Sequence, residues 1–174
     1  MKLVGAALIF AASLMPASAD ERPPEVARAV AGAELRGSAM VDFLRFPLYE
    51  AQLWTPKQQR VDQADSFALS LTYKRGFKAR SLAKGSVSEI ARIEGRPKSD
   101  FADLEAMLRD CFVDVTEDDR ITGVSASPDT ATFFVNGAQS CTVSYAKLRD
   151  RFFGIWLGSD TRDPDVTARL RGEL

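Results

Sequence analysis

Tyr73 and Arg75 are the side chains in this 174-residue sequence whose types and spacing best suit ligand chemistry. Phe67, Leu69, Leu71 and Tyr73 alternate with Ala68, Ser70, Thr72 and Lys74, so Tyr73 continues the apolar side of a half-buried strand. Arg75 follows where the strand pattern gives way to a helical one. A guanidinium there could hold a carboxylate through two parallel hydrogen bonds. The same two residues also read as a core tyrosine beside a solvated arginine. Arg36 with Tyr49 is the second candidate pair and has the same plain alternative.

Other residue types narrow the chemistry further. The chain contains no histidine, which removes Ser-His-Asp and Cys-His catalysis and every His-ligated metal site. No G-x-G-x-x-G or G-x-x-x-x-G-K-[ST] run occurs, and no cofactor or metal is expected. Asp114, Glu117, Asp118 and Asp119 lack the spacing of a calcium loop and read as a solvated turn. Lys74, Arg75, Lys78, Arg80 and Lys84 form one local cationic run, suited to an anion or to lipid headgroups, or merely to solvent. Cys111 and Cys141 are the only thiols; a disulfide between them and two separate buried thiols are both open. A bond would close a loop worth about 3–4 kcal/mol by the loop-entropy estimate.

The elements that must position these residues follow from periodicity. Lys2, an uncharged stretch from Leu3 to Met15, and then Ala17-Ser18-Ala19 have the order of a signal peptide cleaved after Ala19. The apolar stretch is shorter than the roughly 20 residues needed to span a bilayer. A soluble, periplasmic or secreted protein is therefore expected, with residues 1–19 removed and no integral membrane segment afterwards. Without Lys2 the charges are 22 basic against 24 acidic, which argues against nucleic acid as partner.

Residues 20–33 read as a leader with one helical turn after Pro23-Pro24, and residues 34–174 as one domain. Glu34 to Trp54 predicts two strands meeting near Arg45–Pro47, and 67–73 a third. Ala79, Leu82, Ala83, Val87, Ile90 and Ile93 predict a helix ending at Gly95–Pro97. A second helix, capped by Ser99 or Asp100, carries Phe101, Leu104, Leu108 and Cys111 on one face. Strands at 120–127 and 130–135 precede Asn136-Gly137, a type I′ hairpin signal, and a return strand. A long, broadly buried helix is predicted from Ser144 to Leu157, and Asp163-Pro164 should open a short final helix. This order predicts an α+β domain whose largely antiparallel sheet is covered by helices.

Three segments together are similar to the bacterial exported branch of the chalcone isomerase-like family. They are Gly37-Ser38-Ala39 leading to Leu48-Tyr49-Glu50-Ala51-Gln52-Leu53-Trp54, then Leu69-Ser70-Leu71-Thr72-Tyr73-Lys74-Arg75 with Leu82 and Ser86 to Ile90. The third runs from Asp119-Arg120-Ile121-Thr122-Gly123-Val124 through Phe133 to Gly137 and on to Phe152-Phe153-Gly154-Ile155-Trp156-Leu157-Gly158. The resemblance implies a long curved antiparallel sheet with helices on one face and a cleft between them. Plant enzymes of this fold close a flavanone ring with an Arg and with Tyr and Thr hydroxyls. Against their pattern Leu44 falls where they carry Thr, their Tyr falls near Gly76 or Phe77, and Arg36 is spaced too close to Tyr49. The expectation is a non-catalytic protein that binds a small apolar or amphipathic anion, a fatty or aromatic acid. The alternatives are an isomerase or lyase acting on an α,β-unsaturated carbonyl compound, and a structural or assembly factor of the cell envelope.

Overall fold

The computed structural model describes residues 22–174, so the signal peptide expected at 1–19 and Asp20–Glu21 lie outside the described residues. Six strands form one sheet in chain order, every neighbour antiparallel. The first helix, α1 (Pro24–Ala29), has proline at its first position, where the missing N–H costs nothing. Strands β1 (Ala33–Phe43) and β2 (Phe46–Pro56) form a long hairpin. Its turn is Leu44-Arg45, and the register shifts beside Asp42, opposite the non-donating Pro47.

Strand β3 (Phe67–Tyr73) is buried along both faces rather than one. The cause is α1: Val26 and Val30 pack with Trp54, Ala68 and Val124 on the side that alternation alone leaves to solvent. There the Ser70 and Thr122 hydroxyls satisfy one another at 2.9 Å.

Helix α2 (Ala79–Glu94) buries Ala83, Val87, Ile90 and Ala91, and it ends at Gly95 in the left-handed conformation. Its N-terminus is capped from elsewhere in the chain. Asp114 accepts from the Ala79 N–H at 2.9 Å and from Lys78 Nζ at 2.7 Å. Asp119 accepts from the Thr116 N–H and from Asn136, so these acids serve as turn and cap acceptors. Residues Lys98–Phe101 form a 3₁₀ turn before α3 (Ala102–Cys111). Neither Ser99 nor Asp100 caps α3, and Asp100 pairs instead with Arg96 at 3.0 Å.

Strands β4 (Arg120–Ser127), β5 (Thr130–Val135) and β6 (Ala138–Ser144) complete the sheet, with Asn136 and Gly137 both at positive φ in the last turn. The long helix expected at 144–157 is a correction. Ser144 belongs to β6, a π-helical turn covers Arg149–Phe153, and α4 is only Gly154–Leu157. Lys147 has φ of 56°, left-handed backbone that interrupts a regular helix, and the N–H groups of Tyr145, Lys147 and Arg149 bond back to Pro128 and Asp129. Helix α5 (Pro164–Leu170) starts as expected, with Asp163 accepting from two N–H groups at 3.1 Å.

The main core lies between the sheet and the α2–α5 layer. Gly37 lets α5 approach β1, since a Cβ there would overlap the Arg169 and Leu170 carbonyls. A Cys111–Cys141 disulfide ties α3 to β6, with Cα atoms 5.4 Å apart.

Candidate functional site

Between the sheet and α2 lies a slot of about 290 Å³. That is near the lower end of roughly 300–1,000 Å³ for small-molecule sites, enough for one ligand of modest size. Tyr49, Leu71, Tyr73 and Ile121 from three adjacent strands form its floor. Phe152 from the π-helical turn and Ile155 and Trp156 from α4 close one side. The wall from α2 is Ser81, Leu82, Gly85, Ser86 and Glu89, a stripe of mostly small and polar residues at helical spacing.

Tyr73 is 4 % exposed, and its hydroxyl has no hydrogen-bond partner among the described residues. Its ring meets Tyr49 edge-on at 5.8 Å and Phe77 at 5.6 Å. Tyr49 accepts a hydrogen bond from Trp156 Nε1 at 2.9 Å, so its own proton is free to be donated. Burial pushes both phenols above their ordinary value, and both remain neutral donors at physiological pH. Glu89 behaves differently. Burial alone would raise its pKa, but hydrogen bonds from Arg162 and Arg92 at 2.8 and 2.9 Å outweigh that and hold it below the ordinary carboxylate value. The slot therefore combines apolar walls, two neutral donors and one neutralised carboxylate.

Of the expected site residues, the structure brings Tyr73 and Tyr49 together and leaves the arginines outside. Arg75 is exposed, stacked over Phe77 at 6.0 Å, and so reaches only the rim. Arg36 is committed to the carbonyls of Arg171 and Gln58 and makes no pair with Tyr49. Gly85, Glu89 and Trp156 had not been singled out as site residues. The signal for Gly85 was its place inside a helix, where glycine costs about 0.5–1 kcal/mol relative to alanine. A Cβ at Gly85 would meet nothing within 4 Å. Gly85→Ala is therefore expected to raise stability by about that amount in the ligand-free protein, measured by denaturant titration.

A larger depression beside Arg149 and Arg171 offers less. Those two arginines bond to the carbonyls of Asp65 and Leu157 and to Ser125. No group of three or more acids or cysteines gathers as metal ligands among the described residues.

The sequence model of the chalcone isomerase-like proteins matches residues 29–172. This chain belongs to the chalcone isomerase-like family. No curated protein matches its sequence significantly. Among solved structures, a fatty-acid binding protein of Arabidopsis thaliana superposes with a TM-score of 0.64 at 10 % identity. The match covers 83 % of this chain and 90 % of that one. At that identity the likeness establishes the chalcone isomerase-like fold. Within it, Leu44, set against the plant enzymes' Thr, lies at the exposed hairpin tip rather than in the slot.

Proposed function

We propose that this chalcone isomerase-like protein binds a small apolar or amphipathic acid, fatty or aromatic, between its sheet and α2 without transforming it. The observation that carries the reading is the Tyr73 hydroxyl, which opens into an apolar slot with no protein partner. A ligand carbonyl or carboxylate accepting from it would gain about 0.5–1.5 kcal/mol, the net worth of one hydrogen bond. The acid group would lie at the Tyr73 end, where Arg75 stacks on Phe77 at the rim, with the apolar body toward Phe152 and Trp156. The Arabidopsis neighbour, which binds fatty acid, supports the ligand class. An isomerase would need a cation at a developing enolate, and none of the slot-lining residues is Arg or Lys. The signal-peptide pattern of residues 1–19 supports export as the setting for this binding.

Native mass spectrometry of protein from a periplasmic preparation should show a co-purifying acid, and a panel of fatty and aromatic acids should raise the melting temperature. Tyr73→Phe should weaken the best of them about five- to tenfold, the worth of one hydrogen bond. Gly85→Leu should abolish binding by filling the slot's open side. If no acid co-purifies and none raises the melting temperature, the reading fails.

A further inference from the structure

The hairpin formed by β1 and β2 outruns the rest of the sheet. The β2–β3 ladder begins at Tyr49–Tyr73, whereas β1 and β2 pair onward to Phe43–Phe46. On this overhang Phe43, Leu44 and Phe46 are 63, 75 and 65 % exposed. The turn itself is unusual. Leu44 and Arg45 have φ of 49° and 70°, where a two-residue hairpin turn ordinarily takes Asn-Gly. The protein does use Asn-Gly in another two-residue turn, at 136–137, where both residues have positive φ. Two unfavourable choices thus coincide at one protrusion: bulky residues in left-handed backbone, and large apolar side chains held in water.

We propose that the 42–47 hairpin tip is a wedge that inserts into the interfacial region of a phospholipid bilayer. The shape is convex and narrow, unlike the flat or concave patches that bury large areas between proteins. Arg45 sits within the apolar tip, where its long stem lets the guanidinium reach lipid phosphate while its neighbours enter the acyl boundary. Lys74, whose N–H bonds to the Leu48 carbonyl, and Arg75 stand at the base of the overhang. Asp42 is the acid on the tip itself, and at its base Asp118 lies 4.0 Å from Lys74 beside Glu117 and Asp119, so the attraction is mainly apolar rather than a bulk positive field. No helix among the described residues is long and apolar enough to cross a membrane, which makes this a peripheral contact. β2, one arm of the wedge, also carries Tyr49, and Tyr73 pairs with it on β3, so docking would place the slot close to a source of apolar acids.

The test is flotation of the protein with phosphatidylcholine vesicles, with and without phosphatidylglycerol, in the absence of added ligand. The wild type should float with both. Phe43→Ser and Phe46→Ser should each lower partitioning about tenfold, the worth of one inserted aromatic. Leu44→Asn/Arg45→Gly should lower it as well while raising the melting temperature by a few degrees, because the relaxed turn suits its backbone. That gain also shows that loss of binding is not loss of fold. The proposal is overturned if the wild type floats with neither vesicle, or if the serine variants float as it does. It is overturned equally if the wild type is a dimer that those variants dissolve, because the tip would then meet a second copy. Vesicle binding does not require the slot, so failure here would leave the ligand-binding reading standing.

Discussion

Glu25→Ala lowers the stability of the fold by about 3 kcal/mol or more. Glu25 is fully buried in the first turn of α1, and three hydrogen bonds hold its carboxylate. Arg120 donates from Nε at 2.9 Å and from Nη2 at 3.2 Å, and Thr122 donates from Oγ1 at 2.8 Å. Truncation strands the guanidinium beside an apolar cluster, although the Arg120 side chain is 26 % exposed and regains some water. Replacing both partners, as Glu25→Leu with Arg120→Met, should recover much of the loss, because well-packed apolar groups can replace such a pair.

The same site predicts an acid-sensitive component. Burial alone would raise the Glu25 pKa, yet the bonds from Arg120, its own backbone and Thr122 bring it below the ordinary value of 4.5. A carboxylate whose pKa is depressed on folding stabilises the fold above its unfolded pKa. That contribution disappears as pH falls through the folded value. Denaturant titrations from neutrality downward should therefore show wild type losing stability faster than Glu25→Gln once pH drops below about 4.5. Glu89 and Glu94 shift in the same direction through their arginines, so the difference between the two proteins isolates Glu25. Parallel curves would show that the pair contributes no linkage.

Reducing the Cys111–Cys141 bond is expected to cost about 3–4 kcal/mol, from the entropy of the loop it closes. For a chain of this size that is a fall in melting temperature of about 10 °C. The bond spans a sequence separation of 30 and joins α3 to β6. A second link reinforces it, since Ser140 Oγ donates to the Cys111 carbonyl at 2.6 Å. Phe112, which follows Cys111, lines the slot, so reduction should loosen one wall of the site as well as the fold. Comparing wild type with and without a thiol reductant, alongside Cys111→Ala/Cys141→Ala, measures the effect. If reduction leaves the melting temperature unchanged, the bond does not stabilise the protein. Such a bond forms in an oxidising compartment, in keeping with the export proposed above.

The strands and most helices were legible because single patterns decide them. Alternation set β3, Asn136-Gly137 set the last hairpin, and Asp163-Pro164 set α5. What escaped depended on partners distant in sequence. The second buried face of β3 exists only because α1 folds back over it, and no period within 67–73 contains that fact. The segment 145–157 has helical periodicity, but the backbone turns left-handed at Lys147, whose N–H is held by Asp129. In the slot, alternation put Tyr73 on the apolar side of β3, where the structure has it. The arginines were misplaced because sequence order puts Arg75 beside Tyr73 while the strand end turns it outward onto Phe77. Glu89 is neutralised by Arg162, far along the chain, which spacing alone could not reveal.

The chain-order sheet has one seam unlike the others. β1–β2, β4–β5 and β5–β6 are each joined by a two-residue turn, and β2–β3 by the loop at 57–66. Only β3 and β4 are separated by residues 74–119, which include α2 and α3. The entropy of closing a loop rises with its length, so pairing β3 to β4 is the slow entropic step, and local hairpins can form before it. Tyr73 lies on one side of that seam and Ile121 on the other, with α2 across it. The slot is thus built across the join with the longest connection in the sheet, and it is lost when the two halves of the sheet separate.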